Sequence, residues 1–172
     1  TKDAAEEDLL DILAKHHDVG VTTFIHEVFS EKLALLFDID GPPNTKTVVE
    51  ILNPIYAAVR SLFDLEPDEC NCVVFSACSE IKMSYHIHFP DIIVDKKGLK
   101  LVYDYIFKRD VTLRDFIDEQ ILTSCKLRMA FSDKWDKSSL APAGRRLVYA
   151  GAYNCRGVGG QRYFPEWENN SS

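Results

Sequence analysis

The sequence has 172 residues, which suits one domain with a buried core, and its hydrophobic share of 46% is typical of a globular chain. Its net charge of −7 argues against nucleic-acid binding through a uniformly basic surface. No apolar run reaches the length of a membrane span, and we expect no signal peptide. Five cysteines, an odd number, favour free thiols in a reducing compartment. We expect residues 1–172 to form a single intracellular domain of a longer protein.

Hydrophobic periodicity predicts a mixture of helices and strands. In chain order these are a helix at 4–15, strands at 21–28 and 33–40, a helix at 45–63, strands at 72–78 and 84–89, a helix at 97–108, a short helix at 113–117, and strands at 127–131 and 147–150. From the second strand onward the order is strand, helix, strand, strand, helix, strand. This order predicts an α+β fold with a split βαβ (RRM-like) core, in which helices flank a mainly antiparallel sheet.

Two carboxylates end the apolar run of the strand predicted at 33–40. Asp38 and Asp40 are two residues apart, so on a strand their side chains point to the same face. Unpaired carboxylates this close repel each other, and a divalent cation such as Mg²⁺ or Mn²⁺ is their natural partner. The alternative is a simple turn, because a Gly-Pro-Pro sequence follows.

A row of polar side chains is predicted on the strand at 84–89. Lys82, Ser84, His86 and His88 alternate with apolar residues and therefore share one face. An ammonium group, a hydroxyl and an imidazole in a row are suited to binding phosphate. The alternative is an open, solvated sheet face, which is common in antiparallel sheets.

One acidic and two basic residues follow further along the chain. Asp118 lies in a predicted turn and is able to supply a third carboxylate. Arg128 lies on the strand predicted at 127–131, and Lys134 follows its end, so both are able to reach phosphate oxygens. The alternative for Asp118 is a surface position beside Glu119.

An Asp-x-Asp strand, a Lys-x-Ser-x-His strand, and an Asp followed by a strand with Arg and a trailing Lys resemble the archaeo-eukaryotic primase superfamily. The resemblance is closest to the PrimPol-like branch and to the primase halves of large-DNA-virus primase–helicases. It runs from about Thr23 to Lys134. It implies a DNA primase or primase–polymerase, which performs template-directed nucleotidyl transfer from nucleoside triphosphates by a two-metal mechanism with Mg²⁺ or Mn²⁺.

The resemblance also implies roles for single residues. The catalytic, metal-holding carboxylates are Asp38, Asp40 and Asp118. The nucleotide-binding residues are Lys82, Ser84, His86, Arg128 and Lys134. A single-stranded DNA template and a helicase domain or subunit outside this chain are the implied partners, in a nucleus, a cytoplasmic viral factory or an organelle. The sequence departs from the family in having Asp40 where many PrimPol-like members have Glu, and in lacking zinc-binding and helicase motifs.

Two other interpretations remain open. The segment 35–41 resembles the opening motif of haloacid-dehalogenase-type phosphohydrolases, with Asp38 as nucleophile and Asp40 as general acid. That family has a parallel, doubly wound sheet, usually has Thr or Val where Pro42 stands, and leaves the polar strand face unexplained. The second alternative is a non-catalytic split βαβ module that binds nucleic acid or a protein, against which the acidic balance argues.

The last third of the chain is rich in basic and aromatic residues. They fit either a groove for the template strand, where bases stack on aromatic rings, or a surface with scattered aromatics. The residues concerned are Lys137, Arg145, Arg146, Arg156, Arg162, Tyr149, Tyr153, Tyr163, Phe164 and Trp167.

Overall fold

The computed structural model describes residues 2–29, 31–66, 69–124 and 126–153. Four α-helices, one 3₁₀ helix and eight strands occur in these ranges. The helices are α1 (Lys2–Asp18), α2 (Val48–Phe63), α3 (Lys96–Arg109) and α4 (Ile121–Ser124), with the 3₁₀ helix at Val111–Asp115. The strands are β1 (His26–Val28), β2 (Lys32–Gly41), β3 (Cys72–Ser76), β4 (Met83–Asp95), β5 (Lys126–Arg128), β6 (Trp135–Asp136), β7 (Ala141–Pro142) and β8 (Val148–Tyr153).

The main sheet has four strands in the order β2-β4-β3-β8. Strand β4 lies between β2 and β3 and is antiparallel to both. Strands β2 and β3 therefore run parallel, with α2 between them in sequence, and this is the split βαβ arrangement. The predicted α+β fold with a mainly antiparallel sheet is confirmed.

The fourth strand of the main sheet differs from the prediction. The strand predicted at 127–131 is the short β5, which pairs with β1 in a separate two-stranded sheet. Strand β8 joins the main sheet instead, on the far side of β3. Residues 116–118 lie along the outer edge of β2, where their backbone bonds to Asp38 and Asp40.

Helices α2 and α3 cover one face of the main sheet. The rings of Phe37 and Phe89 meet edge to face, and Tyr103 of α3 stacks on Phe37 with 5.1 Å between ring centroids. Tyr56 of α2 contacts Phe89, and the Tyr103 hydroxyl donates to the carbonyl of Leu36 at 3.1 Å. Since side chains alternate along a strand, the positions between these core residues point to the opposite face.

Three of the five cysteines lie in the described residues. Cys70 and Cys72 are buried free thiols, and Cys78 is an exposed one. Cys125 and Cys155 lie outside the described residues. Within the four described ranges, no helix combines the length and the apolar character needed to cross a membrane.

Candidate active site

The pairing of β2 with β4 brings the first two predicted motifs together. Asp38 lies directly opposite His86, and Asp40 lies directly opposite Ser84. Side chains of directly opposed residues in an antiparallel pair point to the same face and lie close together. The two carboxylates and the hydroxyl–imidazole pair therefore form a compact group on the face away from α2 and α3.

Asp118 reaches this group along the edge of β2. The Asp118 amide donates to the carbonyl of Asp38 at 2.8 Å, and the Asp40 amide donates to the carbonyl of Phe116 at 2.8 Å. These two bonds place Asp118 opposite Asp38 across the strand edge, on the same face of the sheet. Its Oδ1 atom accepts a bond from the amide of Gln120 at 2.8 Å, which holds the side chain at the start of a turn.

The pKa of Asp38 responds to this arrangement. Burial raises its pKa to about 7, and the charges of Asp40 and Asp118 add to the rise, while Lys82 and Arg128 oppose it. A carboxylate beside two others is disfavoured in its charged form unless a cation neutralises the group. Burial, reinforced by the two neighbouring carboxylates, therefore favours the protonated form of Asp38.

His86 is buried, with 3% of its surface exposed. Its Nε2 atom lies 3.5 Å from the Oδ1 atom of Asp38, and its Nδ1 atom has no hydrogen-bond partner among the described residues. Burial lowers the pKa of His86 to about 3, and the charges of His88 and Arg128 add to this. The ring is therefore neutral, and a buried ring nitrogen without a partner is the feature of a site that a ligand or water completes.

Lys82 forms an ion pair with the second carboxylate. Its Nζ atom lies 2.6 Å from the Oδ2 atom of Asp40, and about a third of each side chain is exposed. Ser84, opposite Asp40, is 6% exposed. A cation that binds to Asp40 must therefore compete with an ammonium group that is already in contact with it.

Arg128 and Lys134 border the same region. Arg128 is half-buried, and its Nη1 atom donates to the carbonyl of Arg145 at 2.6 Å. Burial lowers the pKa of Arg128, with a further decrease from the charge of Arg145 and opposing contributions from Asp133, Asp38 and Asp40. Lys134 is exposed and lines a cleft that it shares with Asp40 and Lys82. The structure thus brings all eight predicted residues to one region, although it does not test their roles.

The cleft has a volume of about 1180 Å³ and opens beside Asp40. Two groups of residues line it, one from β2 and the β3–β4 turn, the other from β6 and the loop before β8. They are Asp40, Gly41, Pro42, Ser79, Glu80, Ile81 and Lys82, and Lys134, Trp135, Asp136, Lys137, Ala143, Gly144 and Arg145. Four of these side chains are cationic and three are acidic, so the cleft carries a small positive charge on a chain whose net charge is −7.

The basic and aromatic residues of the last third occupy different places in the structure. Lys137 and Arg145 line the cleft. Tyr153 is buried and bonded to Asn53, so it is not available to stack on bases. Arg146 bonds instead to the end of α1 and to the segment that follows it, through His17, Gly20 and Thr22. Five further residues of that set lie outside the described ones, namely Arg156, Arg162, Tyr163, Phe164 and Trp167.

Sequence reasoning did not identify Asp133, which is buried with 2% exposure. Its carboxylate accepts three backbone hydrogen bonds, from Lys134, Gly144 and Arg145. An Asp after a short strand is typical of any turn, so the sequence holds no signal for bonds to residues 11 and 12 positions away.

The donor groups of this region are those that the expected metal ions prefer. Asp38, Asp40 and Asp118 supply carboxylate oxygens, which Mg²⁺ and Mn²⁺ accept as ligands. Among the described residues, however, no three His, Cys, Asp or Glu side chains are grouped as a metal site. Asp40 is turned to Lys82 and Asp118 to its own turn. The residue types fit a divalent cation, and so does the repulsion that Asp40 and Asp118 exert on Asp38. Asp40 and Asp118 would bind it after rotating away from their present partners.

Comparisons with known proteins agree with the geometry. Residues 2–143 match the family described as the C962R protein N-terminal AEP domain, where AEP denotes archaeo-eukaryotic primase. Comparison with curated proteins finds no match. Domains of the AEP type perform primase-type nucleotidyl transfer in general and are generally metal-dependent. Since the match covers most of the chain, this protein belongs to the C962R N-terminal AEP family, the primase domains of large-DNA-virus primase–helicases.

Proposed function

We propose that the chain catalyses template-directed transfer of nucleotides from nucleoside triphosphates to a growing strand, as a DNA primase or primase–polymerase. The observation that carries this proposal is the register of β2 and β4, which sets Asp38 opposite His86 and Asp40 opposite Ser84. A carboxylate pair facing a hydroxyl–imidazole pair supports this proposal, because carboxylates suit metal ions and the hydroxyl and imidazole groups suit phosphate. We also propose that residues 1–172 act as one catalytic domain.

The carboxylates of Asp38, Asp40 and Asp118 are proposed to hold two divalent cations, Mg²⁺ or Mn²⁺. When bound, such ions activate an attacking 3′-hydroxyl group and neutralise the leaving pyrophosphate. Asp38 is central to the proposed metal site, because it lies between two other members of the group. Its backbone carbonyl accepts from Asp118, and its side chain faces His86. Lys82 holds the Asp40 carboxylate until a cation replaces it.

The basic and hydroxyl groups are proposed to bind the triphosphate. His86 offers a neutral ring nitrogen without a partner, and the Ser84 hydroxyl lies two residues away on the same strand face. Lys82 and Lys134 line the cleft and provide point charges, whereas Arg128 provides a planar fork near Asp38. Cationic groups held in place before the reaction stabilise the charge that develops on the phosphates.

Single-stranded DNA is the proposed template, and a helicase domain or subunit is the proposed partner. The family consists of domains from primase–helicases, which is compatible with such a partner. The small positive charge of the cleft supports a local contact with a strand backbone on an otherwise acidic chain.

Calorimetric titration of a nucleoside triphosphate in the presence of Mn²⁺ tests this proposal. We expect binding by the wild type, weaker binding by His86→Ala, and weaker binding by the double variant Asp38→Ala/Asp40→Ala. Asp104→Ala is a matched control, because it removes a carboxylate from the exposed surface of α3. Wild-type affinity in all variants would contradict the proposed site.

The two alternative functions make different predictions. A phosphohydrolase with Asp38 as nucleophile requires a parallel sheet, whereas the sheet here is antiparallel throughout its described strands. It predicts hydrolysis of a generic phosphomonoester that Asp38→Asn abolishes. A non-catalytic module predicts strand binding that is independent of both Mn²⁺ and the Asp38 and Asp40 substitutions.

A further inference from the structure

A buried carboxylate joins two segments on one side of the cleft. The Oδ1 atom of Asp133 accepts from the amides of Lys134 at 2.7 Å and Arg145 at 2.9 Å. Its Oδ2 atom accepts from the amide of Gly144 at 3.0 Å. Bonds from amides to an ionised carboxylate are stronger than bonds between neutral groups, and a buried carboxylate depends on them. Asp133 therefore fixes the start of β6 to the loop before β8.

The backbone of Arg145 is held from two directions. Its amide bonds to Asp133, and its carbonyl accepts from the Nη1 atom of Arg128 at 2.6 Å. The same two segments are joined by a third contact, in which the Ala143 amide donates to the carbonyl of Lys134 at 2.8 Å. A backbone fixed in this way leaves only the side chain of Arg145 to adjust.

The Arg145 side chain lines the cleft together with Lys134, while Asp40 and Lys82 line it from the other group of residues. Among the described residues, its guanidinium forms no ion pair and no hydrogen bond. Its charge is close enough to Arg128 to disfavour the charged form of that residue. The charge of Asp133 opposes this effect. A guanidinium fork without a partner among the described residues is suited to phosphate, which it binds through two parallel hydrogen bonds.

We propose that Arg145 binds a phosphate group in this cleft and that Asp133 is the positioning residue that holds Arg145 and Lys134 at that place. The inference rests on the nucleotidyl transfer proposed above and adds two residues to it. The phosphate belongs either to the triphosphate or to the backbone of a single-stranded DNA. Both sources present the same oxygens to the guanidinium, and the experiment separates them.

The test uses Arg145→Ala and the matched control Arg109→Ala, which removes the same charge from the end of α3. Titrations with ATP and Mn²⁺ and with a fluorescent single-stranded oligonucleotide give the two affinities. We expect Arg145→Ala to weaken at least one of them by about ten- to a hundredfold, the range of a lost charge-assisted bond. Loss for ATP identifies the triphosphate as the source, and loss for the oligonucleotide alone identifies the strand.

The positioning role is tested by a double-variant cycle. We expect Asp133→Asn to weaken binding of the same ligand. Combined with Arg145→Ala, it should add only the loss that comes from displacing Lys134. If circular dichroism shows that Asp133→Asn is unfolded, Asp133→Glu replaces it, because it keeps the buried charge but displaces the three bonds. Equal affinities of folded Asp133 variants and wild type overturn the positioning role.

Failure of this inference is distinct from failure of the proposed function. In one outcome, the wild type binds ATP with Mn²⁺ while Arg145→Ala and Arg109→Ala have equal effects on both ligands. This result overturns the inference and leaves the proposed function standing. Absence of both kinds of binding in the folded wild type overturns the inference and the proposed function together.

Discussion

Asp38 and His86 face each other across β2 and β4, with 3.5 Å between Oδ1 of the carboxylate and Nε2 of the ring. The pKa of Asp38 is raised to about 7 and that of His86 is lowered to about 3, in both cases mainly by burial. Both groups are therefore disfavoured in their charged forms, and their contact is not a strong ion pair. The proposed cation at Asp38 and the proposed phosphate at His86 would supply the charges that this buried pair lacks.

Asp38→Asn is predicted to stabilise the protein without metal at alkaline pH. Because the folded-state pKa of Asp38 is raised, folding disfavours its ionised form, and stability decreases as the pH rises from about 4 through about 7. The variant avoids this loss. Its free energy of unfolding in urea should exceed that of the wild type by about 2–4 kcal/mol near pH 8 and differ little near pH 4.

The control for that measurement is Asp104→Asn, because the Asp104 carboxylate forms an exposed pair with Lys100. Its effect should stay within about 1 kcal/mol at both pH values. A stability difference for Asp38→Asn that does not change with pH would exclude a raised pKa as its cause.

Lys82→Ala is predicted to affect two ligands in opposite directions. Removal of the ammonium that contacts Asp40 at 2.6 Å frees this carboxylate, so Mn²⁺ alone should bind several-fold more tightly. The triphosphate should bind several-fold more weakly, because one phosphate-binding charge is lost. Calorimetry with each ligand checks both signs, and Lys100→Ala should change neither. Parallel changes for the two ligands would contradict the proposed exchange of Lys82 for a cation.

His86→Ala is predicted to weaken triphosphate binding by about tenfold, the value of a lost hydrogen bond to a charged group. The pKa of His86 in the free protein, about 3, keeps the ring neutral throughout the range from about pH 5.5 to pH 8. The ratio of wild-type to variant affinity should therefore be the same at both ends of this range. A ratio that grows steeply toward acid would show that His86 binds as a cation.

Tyr103→Phe is predicted to reduce stability by about 1 kcal/mol, because it leaves the buried carbonyl of Leu36 without the 3.1 Å bond from the phenol. The matched control is Tyr105→Phe on the same helix, whose hydroxyl is exposed and contacts Ser61 and Arg109. Urea denaturation should show little effect of the control. Equal losses for the two variants would mean that the Tyr103 bond is not what stabilises this face of the sheet.

The sequence predicts the face and the order of the site well, because alternation along a strand decides which side chains share a face. Asp38, Asp40, Ser84 and His86 all follow this rule, and the split βαβ order then sets their strands side by side. The length of β4 was less predictable. The strand was predicted at 84–89, whereas β4 continues through Pro90 to Asp95, past an irregular stretch where the partners of β2 change from Phe89 to Ile93.

Edges and long-range bonds were not predictable. Strand β8 rather than β5 joins the main sheet, and neither strand carries a local signal for its partner. The bonds of Asp133 to Gly144 and Arg145 depend on how a loop folds back, which propensity and spacing do not report. The cleft forms through these contacts. The sequence therefore showed that the last third of the chain is basic, but not that its cationic residues line a cleft.

The central claim is tested most directly by extension of a primer on a single-stranded DNA template with nucleoside triphosphates and Mn²⁺ or Mg²⁺. We predict metal-dependent, template-directed products from the wild type, and none from folded Asp38→Ala/Asp40→Ala, while the α3 surface variant Asp104→Ala keeps its activity. Products formed at the wild-type rate without Asp38 and Asp40, or no nucleotide transfer by the folded wild type with either metal, would contradict the account.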